Sequence, residues 1–155
     1  MKRIVVLILS LTFAAGAVTA QSSSELIPTR WGVVLESPAM KGVRVKKDVT
    51  YLKDDRSTLG IDVYTPPGMK PGEKLPAVIF LNAIGDQPGS KVKEWGIYST
   101  WPRLVAAHGM IGISMDADGS RIQDSLKGLF AFLEREGATH GIDPSRLGVY
   151  AASAN

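Results

Sequence analysis

The hydrophobic and polar positions of the chain alternate first with the period of a β-strand. The segment 43–52 places Val43, Val45, Val49 and Tyr51 on one face, and the segment 59–64 places Ile61 and Val63 on one face. The polar residues 54–57 lie between the two segments. Alternation with a period of two is typical of strands with one buried face. The pattern therefore predicts a β-hairpin at the start of the folded domain.

Three later segments are almost continuously apolar: residues 77–81, 110–115 and 147–151. Such runs are typical of strands that are buried on both faces of a parallel sheet. Helical patterns lie between them, at residues 104–107 before Gly109 and at residues 120–136 before Gly137. An alternation of strand, helix, strand, helix and strand predicts a parallel sheet with right-handed crossovers.

The second helical segment carries the clearest local signals. Ser120 and Gln123 have the spacing of a capping box, in which two side chains satisfy the free N–H groups of the first turn. Apolar residues then follow with helical spacing and predict one buried stripe, formed by Ile122, Leu126, Leu129, Phe130 and Leu133.

The first residues of the chain have the pattern of a secretory signal. Lys2 and Arg3 precede the apolar residues 4–15, and Val18-Thr19-Ala20 offers short side chains for cleavage after Ala20. The apolar run is shorter than the roughly 20 residues of a membrane-spanning helix. We therefore expect residues 1–20 to be removed, leaving an exported protein, periplasmic or secreted, with no stable membrane anchor. Residues 21–42 are a lead-in, and residues 43–155 form the domain.

Charge and cysteine content narrow the possible partners. The chain has 18 basic and 15 acidic residues, and removal of Lys2 and Arg3 leaves 16 against 15, a net charge of +1. The basic residues of segment 41–53 alternate with valines, which indicates the exposed face of a strand. This distribution gives no basic footprint for nucleic acid. Since the chain contains no cysteine, we expect neither disulfides nor a cysteine-linked lipid, and stability must come from core burial.

A candidate site lies where two strands of the predicted sheet end. Ligands of open parallel sheets bind beyond the carboxyl ends of the strands. The loop that begins at Asn82 and the short segment 152–155 both follow predicted strands. Ser153 stands just past the last strand, in a position suited to a reactive hydroxyl group.

Four stretches between about residue 45 and residue 155 resemble the α/β-hydrolase superfamily. They are "DVYTPP", "LPAVIFLNAIGD", "LVAAHGMIGISMD" and "GIDPSRLGVYAASAN", and the last resembles the entry to the nucleophile elbow of dienelactone hydrolases and carboxylesterases. The resemblance implies a partial α/β-hydrolase fold, in which a hairpin precedes a parallel β-α-β-α-β unit in a three-layer sandwich. It further implies a serine hydrolase that acts on small-molecule carboxylic esters or lactones, with no cofactor and no metal.

The same resemblance assigns the reacting groups. Ser153 corresponds to the nucleophile, and the backbone N–H of Ala154 to one donor of the oxyanion hole. The second donor would be the N–H of Ile84, or alternatively that of Ala83, in the loop after the third strand. The usual glycines of G-x-S-x-G are replaced by Ala151 and Asn155, which makes the predicted turn more crowded.

Three aromatic residues in and after the long loop are candidates for the substrate pocket: Trp95, Tyr98 and Trp101. Their alternative role is ordinary packing against the sheet.

The sequence lacks the other members of a catalytic triad. In this superfamily the acid and the histidine follow the serine, whereas His108 and His140 both precede Ser153. The pattern places His108 at a helix end and His140 at the opposite edge of the sheet. Asp116 and Asp118 are expected to cap the next helix or to shape the site. We therefore expect the chain to be the N-terminal portion of a longer hydrolase and to be inactive by itself.

Two other classes of function are open at this point. One is a non-catalytic exported binding module with a hydrolase-like half-fold, whose last strand would be an unpaired edge available to a partner. The other is a nucleotide-binding domain, which the absence of G-x-G-x-x-G and G-x-x-x-x-G-K-[ST] motifs disfavours.

Overall fold

The computed structural model describes residues 35–82, 85–86 and 89–151. The predicted signal segment and most of the lead-in therefore lie outside the described residues. The strands are β1 (Arg44–Lys53), β2 (Thr58–Thr65), β3 (Leu75–Phe80), β4 (Ile111–Met115) and β5 (Ile142–Tyr150), and the helices are α1 (Gly96–Ala107) and α2 (Ile122–Glu136). Four short 3-10 helices cover Pro38–Gly42, Val92–Glu94, Gly119–Arg121 and Gly137–His140.

The five strands form one mixed sheet in the order β1-β2-β4-β3-β5. β1 pairs with β2, and β2 with β4, in antiparallel fashion, whereas β3 is parallel to both β4 and β5. The predicted hairpin and parallel β-α-β-α-β unit are both confirmed. β5 lies at an edge of the sheet, and its Val149 is 51% exposed.

The two helices cover opposite faces of the sheet, which gives the expected three layers. On one face, Ala106 of α1 packs in a cluster with Val43 and Tyr64. On the other face, α2 contributes to the larger core, whose fully buried members are Ile61, Ile79, Ile111, Ile113, Leu129, Leu133 and Ile142. Each such side chain contributes about 1.5–3 kcal/mol through burial. No helix among the described residues is long and apolar enough to cross a bilayer.

β2 is buried on both faces, although its alternating sequence predicted one buried face. Six consecutive residues from Leu59 to Tyr64 are buried. The reason is that β2 lies between β1 and β4, so that α1 covers one face and the α2 core covers the other. Asp62 is thereby enclosed in an otherwise apolar strand at 2% exposure.

α1 begins at Gly96, eight residues before the start that the sequence predicted. Pro102 lies inside this helix and is buried. A proline in a helix interior removes one hydrogen bond and usually ends the pattern, which explains the late prediction. The helix packs closely against Gly112 of β4, because a Cβ atom at residue 112 would overlap the carbonyl oxygen of Pro102.

The start of α2 differs from the predicted capping box. The cap is Asp118, whose carboxylate accepts hydrogen bonds from the N–H of Ser120 at 3.0 Å and from its hydroxyl at 2.6 Å. The predicted role of Ser120 as the cap is wrong because a 3-10 turn precedes α2, and a carboxylate at residue 118 is the stronger acceptor. The predicted end before Gly137 is confirmed.

The predicted apolar stripe of α2 is also corrected at one position. Leu129 and Leu133 are buried as expected, whereas Phe130 is 37% exposed. Phe132 takes its place in the core at 2% exposure. The residue after Leu129 turns about 100° around the helix axis, which carries Phe130 away from the sheet.

The G-I-D-P-S-R segment fixes the start of β5 against β3. Ile142 pairs with Leu75, but the next pair joins Leu147 to Ala77, so residues 143–146 form an irregularity within the strand. The carboxylate of Asp143 accepts hydrogen bonds from the N–H of Ser145 at 3.0 Å and from Arg146 Nε at 2.6 Å. Arg146 Nη2 then donates to the carbonyl oxygen of Lys74 at 3.1 Å. β5 therefore begins five residues earlier than predicted and ends at Tyr150.

We predict that Gly112→Ala destabilises the full-length protein by about 1–3 kcal/mol, because the added methyl group would overlap the backbone of Pro102. Urea unfolding followed by fluorescence measures this loss. Gly148→Ala in β5 is the matched control, since a Cβ atom there meets nothing closer than 3.8 Å. Equal stability of the Gly112→Ala variant and the wild type would contradict the close contact.

We predict that Asp143 stabilises the full-length protein above pH 4 and loses this contribution as the pH falls. Hydrogen bonds from Ser145 and the ion pair with Arg146 lower the pKa of Asp143 to about 2. A carboxyl group whose folded pKa lies below its unfolded value stabilises the fold above the unfolded pKa, and this stabilisation disappears through the folded pKa. The unfolding free energies of the wild type and Asp143→Asn should differ at pH 7 and converge between pH 4 and pH 2. Asp55→Asn, in an exposed turn, is the control. A difference that does not change with pH would refute the pairing.

Candidate active site

The carboxyl ends of three parallel strands meet at one edge of the sheet. Asn82 follows β3, Asp116 follows β4 and Ala151 follows β5. The backbone N–H of Leu81 donates to the carbonyl oxygen of Tyr150 at 3.0 Å. The loop after β3 and the segment after β5 therefore leave the sheet side by side.

The predicted reacting groups lie outside the described residues. Ser153 and Ala154 follow the last described residue, Ala151, and Ala83 and Ile84 lie between the described Asn82 and Gly85. Their roles stay predictions. The structure does show how the neighbouring residues on each side are held.

Asn82 and Asp86 clamp the loop after β3 to the loop after β4. Asn82 is 2% exposed, and its side chain accepts from the N–H of Gly85 at 3.1 Å and donates to Asp86 Oδ1 at 3.2 Å. The backbone N–H of Asp86 donates to the carbonyl oxygen of Ala117 at 2.8 Å. The Asp86 carboxylate accepts from the N–H groups of Val92 at 2.8 Å and Ala117 at 3.2 Å. Burial raises the pKa of Asp86, and the nearby charge of Asp116 adds to this effect.

Gly85 allows the two loops to touch. Its φ angle is +77°, and a Cβ atom there would lie 2.3 Å from the backbone of Gly119. A side chain at residue 85 would therefore require a strained backbone and would separate the loop after β3 from the loop after β4.

A group of five charged residues lies behind this clamp: Asp48, Asp62, Lys91, Lys93 and Asp116. We call it the ion cluster. The Lys93 side chain is 1% exposed, and its Nζ lies 2.6 Å from Asp48 Oδ1, 3.1 Å from Asp62 Oδ1 and 3.3 Å from Asp116 Oδ2. Lys91 Nζ lies 3.0 Å from Asp116 Oδ2 and is 47% exposed. Two ammonium groups thus face three carboxylates.

The pairing in the ion cluster outweighs the cost of burial. Burial alone would lower the pKa of Lys93, but the hydrogen bond to Asp48 and the charges of Asp116 and Asp62 raise the pKa above its ordinary value. The hydrogen bond from Lys93 likewise lowers the pKa of Asp48. Removing one partner of the fully buried pair of Lys93 and Asp62 costs about 3–5 kcal/mol, because the other charge is left uncompensated.

The backbone is strained where Asp48 enters the ion cluster. Asp48 has a φ angle of +54° and lies at an irregularity of the β1–β2 pairing, between Lys46 and Val49. Its N–H donates to Asp62 Oδ1 at 2.9 Å while its carboxylate reaches Lys93. Residues in this conformation cost about 1–3 kcal/mol and persist where the surroundings impose them.

The three candidate pocket aromatics have different surroundings. Trp101 is 39% exposed and packs on Tyr150 with ring centroids 5.2 Å apart. Tyr150 packs in turn on Phe80 at 5.3 Å, so that Trp101 lies beside the end of β5. Trp95 donates its Nε1–H to Ser90 Oγ at 3.1 Å, and Tyr98 is half-buried in α1.

A cavity of about 500 Å³ opens beside the clamp and the ion cluster. Its lining residues among those described are Thr58, Leu59, Asp86, Gly89, Ser90, Lys91, Glu94 and Asp116, so the three aromatics do not line it. A cavity of about 560 Å³ lies near residues 36–41 and Arg103, away from the loops that follow β3 and β5.

The two histidines lie at the amino edge of the sheet. His108 follows the last residue of α1 and precedes β4, and His140 precedes β5 and packs on Phe132 at 5.8 Å. Burial lowers the pKa of His140. Asp118 caps the turn before α2, and Asp116 accepts the N–H of Gly60 at 3.1 Å. Among the described residues, no group of three or more His, Asp or Glu is placed to hold a metal ion.

One signal for the ion cluster is present in the sequence. Asp62 stands in the middle of the apolar segment 59–64, and a buried carboxylate requires a cationic partner. The partner Lys93 is 31 positions away in a polar loop, where a lysine is ordinarily exposed.

Several solved structures of esterases share this fold. Apo esterase 2 of the planctomycete Thermogutta terrifontis aligns over 74% of this chain and 44% of its own, with 23% identity and a TM-score of 0.53. Brefeldin A esterase, a bacterial homologue of human hormone-sensitive lipase, aligns over 83% of this chain and 37% of its own, with 15% identity and a TM-score of 0.59. Esterase Est22 aligns over 70% of this chain and 34% of its own, with 16% identity and a TM-score of 0.54.

The chain spans about two fifths of the length of these solved structures. No protein-family model and no curated protein sequence matches it. At these identities the comparisons establish the fold. The chain carries part of an α/β-hydrolase fold, as its sequence motifs predicted.

Proposed function

We propose that the chain is part of an exported serine hydrolase that cleaves carboxylic esters or lactones through Ser153. The observation that carries the proposal is the hydrogen bond between Leu81 and Tyr150, which ends β3 and β5 at the same place. The loop with the proposed oxyanion donor and the segment with the proposed nucleophile start from that pair. The esterase activity of the structural neighbours supports the same reaction.

The proposed reaction proceeds through an acyl-enzyme. Ser153 Oγ attacks the ester carbonyl carbon while a histidine base takes its proton. The N–H groups of Ala154 and Ile84, with Ala83 as the alternative to Ile84, hold the oxyanion of the tetrahedral intermediate. The C–O bond then breaks, and the alcohol leaves with the proton from the histidine. Water attacks the acyl group, which releases the acid and restores Ser153.

The base and its acid partner are proposed to come from the part of the full-length protein that follows Asn155. His108 and His140 lie at the amino edge, and Asp116 is already bound in the ion cluster. Trp101, beside the end of β5, is the best placed of the three aromatics to contact an acyl or alcohol group.

We predict that a fluorophosphonate probe labels the full-length protein at Ser153. Ser153→Ala should abolish labelling and lower kcat for short-chain esters on the order of 10⁶-fold, because the nucleophile is lost. Mass spectrometry of the labelled peptide and ester kinetics measure both effects. One structural neighbour, esterase 2 of T. terrifontis, is phosphorylated by paraoxon, which supports the choice of an organophosphorus probe.

Ser120→Ala, in an exposed turn before α2, is the control for the serine experiment and should keep both labelling and turnover. The 155-residue chain alone should not turn over short-chain esters. Labelling that persists in Ser153→Ala would refute the assignment, and a wild-type protein that is neither labelled nor active would favour the non-catalytic binding module.

We predict that the exported protein begins at Gln21. The positive Lys2 and Arg3, the apolar run and the short residues before Ala20 direct export and cleavage. N-terminal sequencing of the protein from the periplasm or the medium identifies the first residue. The double variant Lys2→Glu/Arg3→Glu should stay unprocessed in the cytoplasm. A mature protein that still begins at Met1 would contradict the signal.

A further inference from the structure

The loop between β3 and α1 is attached to the sheet at two points. Near its start, Asp86 binds the backbone of Ala117 beyond β4. Near its end, Lys93 inserts its ammonium group into the ion cluster. The Asp86 carboxylate also accepts the N–H of Val92, next to Lys93, so the two attachments are linked.

The three carboxylates around Lys93 come from three different parts of the sheet. Asp48 lies at the irregularity of β1, Asp62 lies within β2, and Asp116 follows β4. Contacts in three directions fix the position of Nζ, whereas a single ion pair would leave the ammonium free to pivot. A side chain that is 1% exposed and held in this way places its own backbone at a defined distance from the carboxyl end of β4.

Stability alone does not account for this arrangement. Replacing a buried ion pair by well-packed apolar side chains is often neutral or stabilising, so a buried ion cluster is weak evidence of a purely stabilising role. The ion cluster also includes the strained backbone of Asp48 and a buried oxygen of Asp116, Oδ1, with no hydrogen-bond partner among the described residues. Both features add a cost to the folded state.

We propose that Lys93 is a positioning residue for the oxyanion side of the active site. Its ammonium group sets the distance between the loop after β3 and the carboxyl edge of the sheet. Through Val92, this contact supports Asp86, which binds Asn82 at the start of the loop that carries the proposed oxyanion donor. The inference rests on the proposed function, because it assigns Lys93 to the same reaction.

A comparison of an ester with its thionoester tests this role in the full-length protein. Sulfur is a weak hydrogen-bond acceptor, so hydrolysis of the thionoester gains little from an oxyanion hole, whereas hydrolysis of the ester depends on it. Unfolding of part of the sample lowers both rates by the same factor. The ratio of the two kcat/KM values therefore reports the position of the donor and does not respond to stability.

Lys93→Met should lower kcat/KM for the ester about 10- to 100-fold, mainly through kcat. Removing an oxyanion-hole donor lowers kcat about 10²- to 10³-fold, and displacing the donor should lower kcat less. The kcat/KM for the thionoester should fall less than about threefold, because its hydrolysis gains little from the oxyanion hole. Lys70→Met, an exposed lysine near the start of β3, is the control and should leave the ratio unchanged.

Asp48→Asn is the second variant, in case Lys93→Met does not fold. The Asp48 side chain is 62% exposed, and asparagine tolerates a positive φ angle, so this change removes the charge with little disturbance. Asp48→Asn should also lower the ratio of kcat/KM for the ester to that for the thionoester, by about threefold to tenfold. This is less than the effect of removing an oxyanion-hole donor outright.

The outcomes separate this inference from the proposed function. If the wild type hydrolyses esters through Ser153 and the folded variants keep the wild-type ratio, the role of Lys93 is refuted and the proposed function stands. If the wild type has no activity that depends on Ser153, the proposed function fails, and the role of Lys93 fails with it.

Discussion

Parallel pairing of β3 with its two neighbours is the constraint on which the rest of the molecule depends. A parallel neighbour requires a crossover, so α1 and α2 must lie on the faces of the sheet, and every strand of the unit must end at the same edge. Leu81 and Tyr150 mark that edge through one backbone hydrogen bond. This topology alone brings together the loops that carry the candidate site.

Buried charges then fix the position of one of these loops, the loop after β3. Asp62 is enclosed because β2 lies in the interior of the sheet, and its carboxylate requires a cation that only a residue from another segment supplies. Lys93 meets this requirement from the loop after β3. The fold of the first two strands is thus connected to the conformation of a loop that follows them, and the sheet is specified together with the edge at which its parallel strands end.

The sequence predicted the elements whose signals are local. The apolar runs of β3, β4 and β5 and the hairpin were found because each strand shows its burial in its own residues. The start of α1 was missed because Pro102 resembles a helix breaker and the contact that accommodates it, Gly112, is on another element. The ion cluster was missed because its residues lie at positions 48, 62, 91, 93 and 116, and no local pattern joins them. The predicted nucleophile and oxyanion donors lie outside the described residues.

The contact between Gly112 and Pro102 has a consequence for motion. At this point the helix backbone rests directly on the strand, and no side chain lies between residues 102 and 112 that could change rotamer and let one slide over the other. We expect α1 and β4 to move as one block. Relative motion of parts of the sheet must then come from segments hinged outside this block.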